Sequence, residues 1–400
     1  MDVTAIIPTY NRPEFLKDCL QSILEQSRKP AEIIVVDDGS ESSTAAVVQG
    51  LGADIKLIQN LRNTGKAVSL NLGIEQASKP LVWVVDDDDI ALPHAVETLV
   101  NLMAKSPSAG FAYGRHMRFL DDGTGSRVEI GTGYWQSCDP ADFLTQTLED
   151  LFPHQPGMVV RKSLFQKVGP FNTSLERSQD YEMLIRLARA AACVGTDEIL
   201  FLQRKHDGTR GSARDRFEIG ETIGKWVEYD RRILQSLYLD LDLEEYLPRG
   251  EALESVSQSR RALLQRGVIF ARKKLWALAI KDFEAASFIG PGNLSEQEKT
   301  LLRRTFASKY GCDEIRTDVK IIAGLRELKC LGPAGPAILR SIMRGMRWRI
   351  REAFEKRHTR HAIDLAKISL STSLPKWLTA SKRGTRQVSL QSTESMNGSN

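Results

Sequence analysis

The sequence predicts an α/β fold, a mostly parallel sheet wound with helices, followed by an α-helical C-terminal region. Three observations carry this. Short apolar runs rich in Val and Ile alternate with amphipathic helical stretches at intervals of roughly 25 residues, the pattern of parallel strands joined by helical crossovers. Three of the four runs end in polar clusters instead of hairpin turns, so one rim of the sheet gathers the chemistry. The charge balance then inverts: residues 1–210 hold 21 Lys and Arg against 28 Asp and Glu, and residues 211–400 hold 34 against 23.

Residues 3–8 (VTAIIP) read as the first strand. Pro13 opens a helix whose Phe15, Leu16, Cys19, Leu20, Ile23 and Leu24 recur at helical spacing. Residues 32–36 (EIIVV) are a second buried strand ending in Asp37-Asp38-Gly39-Ser40, and Ser42 or Ser43 suits the cap of the next helix. Residues 55–58 form a third strand, leading through NLRNTGK into a helix that runs past Leu70, Asn71, Gly73 and Ile74.

The fourth run, residues 81–90 (LVWVVDDDDI), organises the rest. Five apolar residues read as a strand buried on both faces, and it delivers Asp86, Asp87, Asp88 and Asp89 to the sheet rim. Adjacent carboxylates repel unless a cation sits among them, and a hard ion such as Mg2+ or Mn2+ is the usual answer. An acidic turn leading into a helix at Pro93 is the structural alternative. The carboxyl ends of strands are where open α/β sheets hold their ligands.

Beyond residue 110 the pattern changes. Residues 111–120 and 127–133 predict a hairpin about Asp121-Asp122-Gly123, residues 140–150 a helix, 157–161 an extended segment and 179–192 a helix. Residues 199–202 predict a last strand, ending in QRKH.

Composition sets the class: 42% hydrophobic and 26% charged residues describe an ordinary soluble protein. No apolar run approaches the roughly 20 residues of a membrane helix, and residues 3–8 lack the flanks of an export signal. Five scattered cysteines without metal spacing predict reduced thiols and a cytoplasmic location.

The motifs PTYNR (8–12), EIIVVDDGS (32–40), NTGKAVSLNLGI (63–74), VVDDDDIALP (84–93), VGPFNTSLERSQDYEMLIRLA (168–188) and RKH (204–206) stand in register. Together they resemble a family 2 glycosyltransferase of the GT-A fold, over about the first 210 residues. The resemblance implies a hexosyl- or hexosaminyltransferase that takes a nucleotide-sugar, usually a UDP-sugar, with Mn2+ or Mg2+ as cofactor and inversion at the anomeric carbon. It assigns nucleotide-sugar binding to Pro8, Thr9, Asp38, Lys66, Asp86 and Asp87, with Thr9 and Asp38 at the base and ribose. Asp86 and Asp88 stand where the family has its DxD pair. Asp88 is the implied metal ligand, with His206 as an additional one.

Asp180 is the implied catalytic base, since inverting transfer needs a group that takes the acceptor's hydroxyl proton. A carboxylate serving only the helix dipole is the structural alternative. The chain departs from many relatives at Leu70, where they carry Arg before the Asn, and Lys66 is the candidate replacement for that charge. A solvated helix lysine accounts for Lys66 equally well.

Residues 208–216 have the polar, glycine-containing composition of a loop able to close over a donor. The domain expectation is a glycosyltransferase domain over 1–216, a helical region over 217–379 and a disordered tail over 380–400. One tetratricopeptide-like hairpin is expected at 260–293. Residues 340–360 hold eight Arg and Lys against two Glu, interleaved with Ile342, Met343, Met346, Trp348 and Phe354. That stretch suits peripheral contact with the anionic inner face of a membrane; a protein partner or a plain surface suits it equally, and nucleic acid least.

The acceptor expected is a cell-surface glycan or a lipid-linked precursor. The competing reading is a non-catalytic nucleotide-sugar-binding or scaffold protein acting through its helical region, against which both Asp88 and Asp180 speak. A nucleotidyltransferase or a dinucleotide-dependent oxidoreductase needs a glycine-rich turn after the first strand, and residues 8–12 are PTYNR instead.

Overall fold

The structure, a computed structural model, describes residues 1–373 apart from 42, 53, 123–125 and 206–221. His206, the 208–216 loop and the 380–400 tail lie outside the described residues.

Strands β1 (Val3–Thr9), β2 (Glu32–Asp37), β3 (Lys56–Gln59) and β4 (Leu81–Val84) are parallel, in the order β3-β2-β1-β4. Every residue of β1 and β4 is buried, which is why both read as unbroken apolar runs. Helices α1 (Pro13–Leu24), α2 (Thr44–Gly50) and α3 (Lys66–Gln76) make the crossovers. Register sets Thr9 opposite Asp37 and Ile6 opposite Val84, so β1, β2 and β4 end at one rim.

The remaining strands are mixed in direction: β5 (Ile90–Ala91), β6 (Phe111–Asp121), β7 (Arg127–Thr132), β8 (Met158–Arg161) and β9 (Cys193–Lys205). The sheet continues β4-β8-β6-β9-β5, with β7 on β6 as the expected hairpin. β8 is antiparallel to both neighbours, while β9 runs parallel to β6 and antiparallel to β5. β9 is far longer than residues 199–202, because its first half carries Gly195, Asp197 and Glu198 at exposed positions and does not read as apolar.

Helix α4 (Ala95–Lys105) joins α1 on one face of the sheet. The other face is covered by α3, α5 (Phe143–Glu149), α6 (Lys162–Val168) and α7 (Gln179–Ala190). The five cysteines are free.

The rest is helical: α8 (Thr222–Asp240), α9 (Val256–Arg272), α10 (Trp276–Ser287), α11 (Glu296–Arg303), α12 (Glu314–Thr317), α13 (Val319–Glu327), α14 (Gly335–Glu355) and α15 (Thr359–Ser373). α9 and α10 pack as a pair about Gly267, where a Cβ would lie 2.5 Å from the Phe283 ring. Their core includes Leu148, Leu175, Tyr181 and Ile185 from the α/β half, so one apolar cluster spans both halves. Buried polar links join it: Gln265 donates to Glu149 at 2.8 Å, and Arg272 pairs with Asp150.

The apolar stripe of α14 is covered. Ile338, Ile342, Met343 and Met346 are buried in the helical core, whereas Trp348 and Phe354 are 46% and 49% exposed. A membrane-facing role for this helix therefore falls to its arginines and those two aromatics, not to the stripe. Among the described residues no helix is long and apolar enough to cross a membrane.

Candidate active site at the strand rim

The rim begins with Pro8 and Thr9, both buried. The Ile6 carbonyl accepts from Val85 of the β4 side, so by strand alternation the nitrogen of Pro8 faces the same way. The β1–β4 pairing has stopped by then.

The second and third motifs fold into one structure. Asp38, buried, accepts from Asn60 Nδ2 at 2.9 Å, from the Thr64 N–H at 2.9 Å and hydroxyl at 2.7 Å, and from the Gly65 N–H at 2.8 Å. Both its oxygens are thus engaged in holding the 60–65 loop. Gly39 makes the approach possible: its φ is +77°, and a Cβ would lie 2.5 Å from the backbone of Arg62.

The acidic turn divides its carboxylates between two directions. Asp87 points inward, accepting from Thr9 Oγ1 at 2.8 Å and from Arg12 Nη1 at 3.2 Å. Burial pushes its carboxyl up to about 6, against the pull of Arg12. Asp86, Asp88 and Asp89 each offer an oxygen, all within 4.8 Å of one another. Hard oxygens at that spacing fit a Mg2+ or Mn2+ ion. Burial, with the Asp88 and Asp86 charges, raises Asp89 well above the usual carboxylate range, the electrostatic cost a cation would relieve.

Three basic residues hold the turn: Arg12 Nη1 also donates to Asp88 Oδ2 at 3.0 Å, and Lys66 and Arg204 frame it from either side. Lys66 Nζ donates to Asp86 Oδ1 at 2.6 Å. Burial lowers the basicity of Lys66, but Asp86, Asp180 and Asp88 outweigh it and hold the ammonium charged. Leu70, where many relatives carry Arg, is fully buried beneath the sheet, so the local positive charge comes from one turn earlier in α3.

Arg204 anchors the turn from β9. Its backbone N–H donates to Asp89 Oδ1 at 3.0 Å and its Nε to the Asp88 carbonyl at 3.0 Å. The guanidinium also reaches Asp18 and Asp121 and lies 4.8 Å from the centroids of both Phe15 and Phe119. Sequence reasoning marked His206 in this motif and missed Arg204. Asp89 stands in the acidic run beside Asp88, the ligand that the resemblance implies.

Asp180 arrives from the far side of the sheet. Asn71 of α3 makes two hydrogen bonds to the backbone of Phe171, at 3.0 and 2.7 Å. Arg186 donates to the carbonyls of Val168, Gly169 and Pro170 and pairs with Glu182 at 2.7 Å. These contacts fix the 168–171 turn. α7 then starts after Ser178, at φ +55°, with Asp180 in its first turn. Burial raises the Asp180 carboxyl, Lys66 opposes it and Asp86 adds to it, so Asp180 shares an electrostatic neighbourhood with both.

The structure therefore brings Lys66, Asp86, Asp88, Asp89 and Asp180 together. Thr9, Asp38 and Asp87 are engaged in the scaffold just beneath.

The profile for "Glycosyl transferase family 2" matches residues 4–169. An uncharacterised glycosyltransferase of Rickettsia typhi is 26% identical over 222 residues, covering 55% of this chain and 70% of that protein. One of Haemophilus influenzae is 28% identical over 188 residues, covering 46% and 61%. Among solved structures, S. aureus TarS 1–349 in complex with UDP is 16% identical, covers 89% of this chain and 92% of its own, and has a TM-score of 0.49. The mannosyltransferase PcManGT from Pyrobaculum calidifontis, in complex with GDP-Man and Mn2+, is 16% identical, covers 93% and 82%, and has a TM-score of 0.40.

Proposed function

Through residues 4–169 this chain is a family 2 glycosyltransferase, and from that premise we propose a metal-dependent, inverting transfer of a sugar from a nucleotide-sugar, a UDP-sugar first among them, to a hydroxyl acceptor. The acceptor class is a cell-surface glycan or a lipid-linked precursor. One observation carries the reading: the Lys66 ammonium, 2.6 Å from Asp86, is also in electrostatic contact with Asp180, although the three residues come from three separate elements.

Asp86, Asp88 and Asp89 would hold Mn2+ or Mg2+. Such an ion supplies Lewis-acid stabilisation of the charge that builds on the departing diphosphate. Lys66 adds a fixed positive charge on the same side, which acts strongly in a half-buried site. Asp180 takes the proton of the attacking hydroxyl. Its raised basicity favours accepting that proton, and Lys66 keeps it ionised beforehand. Asp87, Thr9 and Arg12 brace the turn from below.

The test is release of UDP from a panel of UDP-sugars in the presence of Mn2+. Asp180→Asn is expected to bind donor as the parent does and to turn over about 10²–10⁴-fold more slowly. Equal turnover by the two proteins would remove Asp180 from the chemistry, and no turnover of any nucleotide-sugar by the parent would remove the function.

A further inference from the structure

Asp180 lies in the first turn of α7, and that turn has no side-chain cap: Ser178 stands at the N-cap with φ +55° and accepts no capping hydrogen bond. Helix starts without a cap leave backbone donors to water and open readily. Asp180 is held instead by its neighbour. The Tyr181 backbone N–H donates to Asp180 Oδ1 at 2.9 Å, and the Tyr181 ring is buried in the apolar cluster that both halves share.

The helical half grips Tyr181 at both ends. Tyr181 Oη donates to the Leu148 carbonyl at 3.1 Å, and the two residues after Leu148 are bound by Gln265 and Arg272 of α9. Lys273, directly after α9, sets its ammonium 4.6 Å from the Tyr181 ring centroid. That ammonium is itself fixed: it donates to Asp230 of α8 at 2.8 Å, and Tyr310 Oη donates to the same carboxylate oxygen at 2.6 Å. Direct contacts therefore run from α8, α9 and Tyr310 through Tyr181 to the Asp180 carboxylate.

Stability alone does not account for the ion pair. The Lys273 and Asp230 side chains are 0% and 5% exposed. A pair so buried adds little over apolar side chains of similar volume, because both ions give up their water. Leu264, Val268 and Ile269 of α9 belong to the same cluster, where a methionine would pack as well. An apolar side chain would lack the attraction of an ammonium for the ring face, which sets where the ring lies. We infer that Lys273 is a positioning residue for sugar transfer: anchored by Asp230 and Tyr310, it locks Tyr181 and through it the carboxylate of Asp180, so that the helical half completes the active site. The inference rests on the proposed role of Asp180 as base.

The experiment uses the full chain and the double variant Lys273→Met/Asp230→Asn, which removes both charges and strands neither. Its Tm is expected within about 3 °C of the parent. In the UDP-release assay its kcat should fall about 10–100-fold with the KM for the UDP-sugar unchanged. Amide exchange over residues 178–184, followed by mass spectrometry, should quicken about tenfold or more. Tyr181→Phe keeps the ring and should keep kcat, whereas Tyr181→Leu should lose as much as the double variant, and the two losses combined should not add. Parental exchange in the double variant, a parental kcat, a loss confined to KM, or additive losses overturns the inference. Full turnover by Asp180→Asn would defeat the base reading instead, and the exchange comparison is read with or without turnover.

Discussion

Arg204→Met tests whether the acidic turn is held from β9. The side chain is 3% exposed. Methionine keeps most of the aliphatic stem and removes the charge. The charge-assisted bond to the Asp88 carbonyl is worth about 2 kcal/mol, and the two ring contacts, desolvated, about 1 kcal/mol each. The Asp18 and Asp121 carboxylates are 42% and 40% exposed and rehydrate when released, so each pair contributes only about 0.5 kcal/mol. Against these stands the relief of no longer burying a guanidinium, about 2 kcal/mol. The net loss is about 3 kcal/mol, a fall in Tm of about 4 °C for a unit whose core spans both halves of the chain. Freed from its anchor, the Asp88–Asp89 segment should also bind Mn2+ about 10–100-fold more weakly, as outer-shell substitutions do. Thermal unfolding followed by circular dichroism and a Mn2+ titration by electron paramagnetic resonance give the two numbers. A Tm within about 2 °C of the parent together with unchanged Mn2+ affinity would refute the reasoning.

Two further changes probe the scaffold. Gly39→Ala places a methyl 2.5 Å from the Arg62 backbone at a φ of +77°, and combines left-handed strain with overpacking for a loss of about 2–5 kcal/mol; a melting curve matching the parent's would contradict it. His116 is buried, stacked on Phe201 and edge-on to His154, and burial with the Arg118 and Lys205 charges pushes its imidazole down to about 4. The folded state therefore keeps it neutral, and the stability this gives above about pH 6.5 is lost as pH falls towards about 4. His116→Gln should flatten that part of the acid-unfolding profile, read from urea midpoints between those pH values, and an identical slope in the variant would rule His116 out as its source.

Much of this was legible because β1, β2 and β4 are buried on both faces. Such strands leave unbroken apolar runs, and a carboxylate following one must lie at the rim. The division of labour within Asp86–Asp89 was not legible. In a turn, consecutive side chains follow no fixed period, so only coordinates separate Asp87, which turns to Thr9 and Arg12, from Asp86, Asp88 and Asp89, whose oxygens gather within 4.8 Å. The hold of Asp38 on the 60–65 loop was likewise not legible, since nothing in DDGS announces that its oxygens are engaged by Asn60, Thr64 and Gly65. The stripe on α14 was correctly amphipathic, but a pattern states only that an apolar face needs cover.

The apolar cluster shared by α7 and α9–α14 has a practical consequence for anyone dissecting the chain. Cutting between β9 and α8 would strip the covering from Leu148, Tyr181 and Ile185 and leave Glu149 and Asp150 without Gln265 and Arg272. An expression fragment ended there would present a sticky, acid-lined scar beside Asp180. A graft of the C-terminal helices onto another sheet would inherit the mirror-image problem.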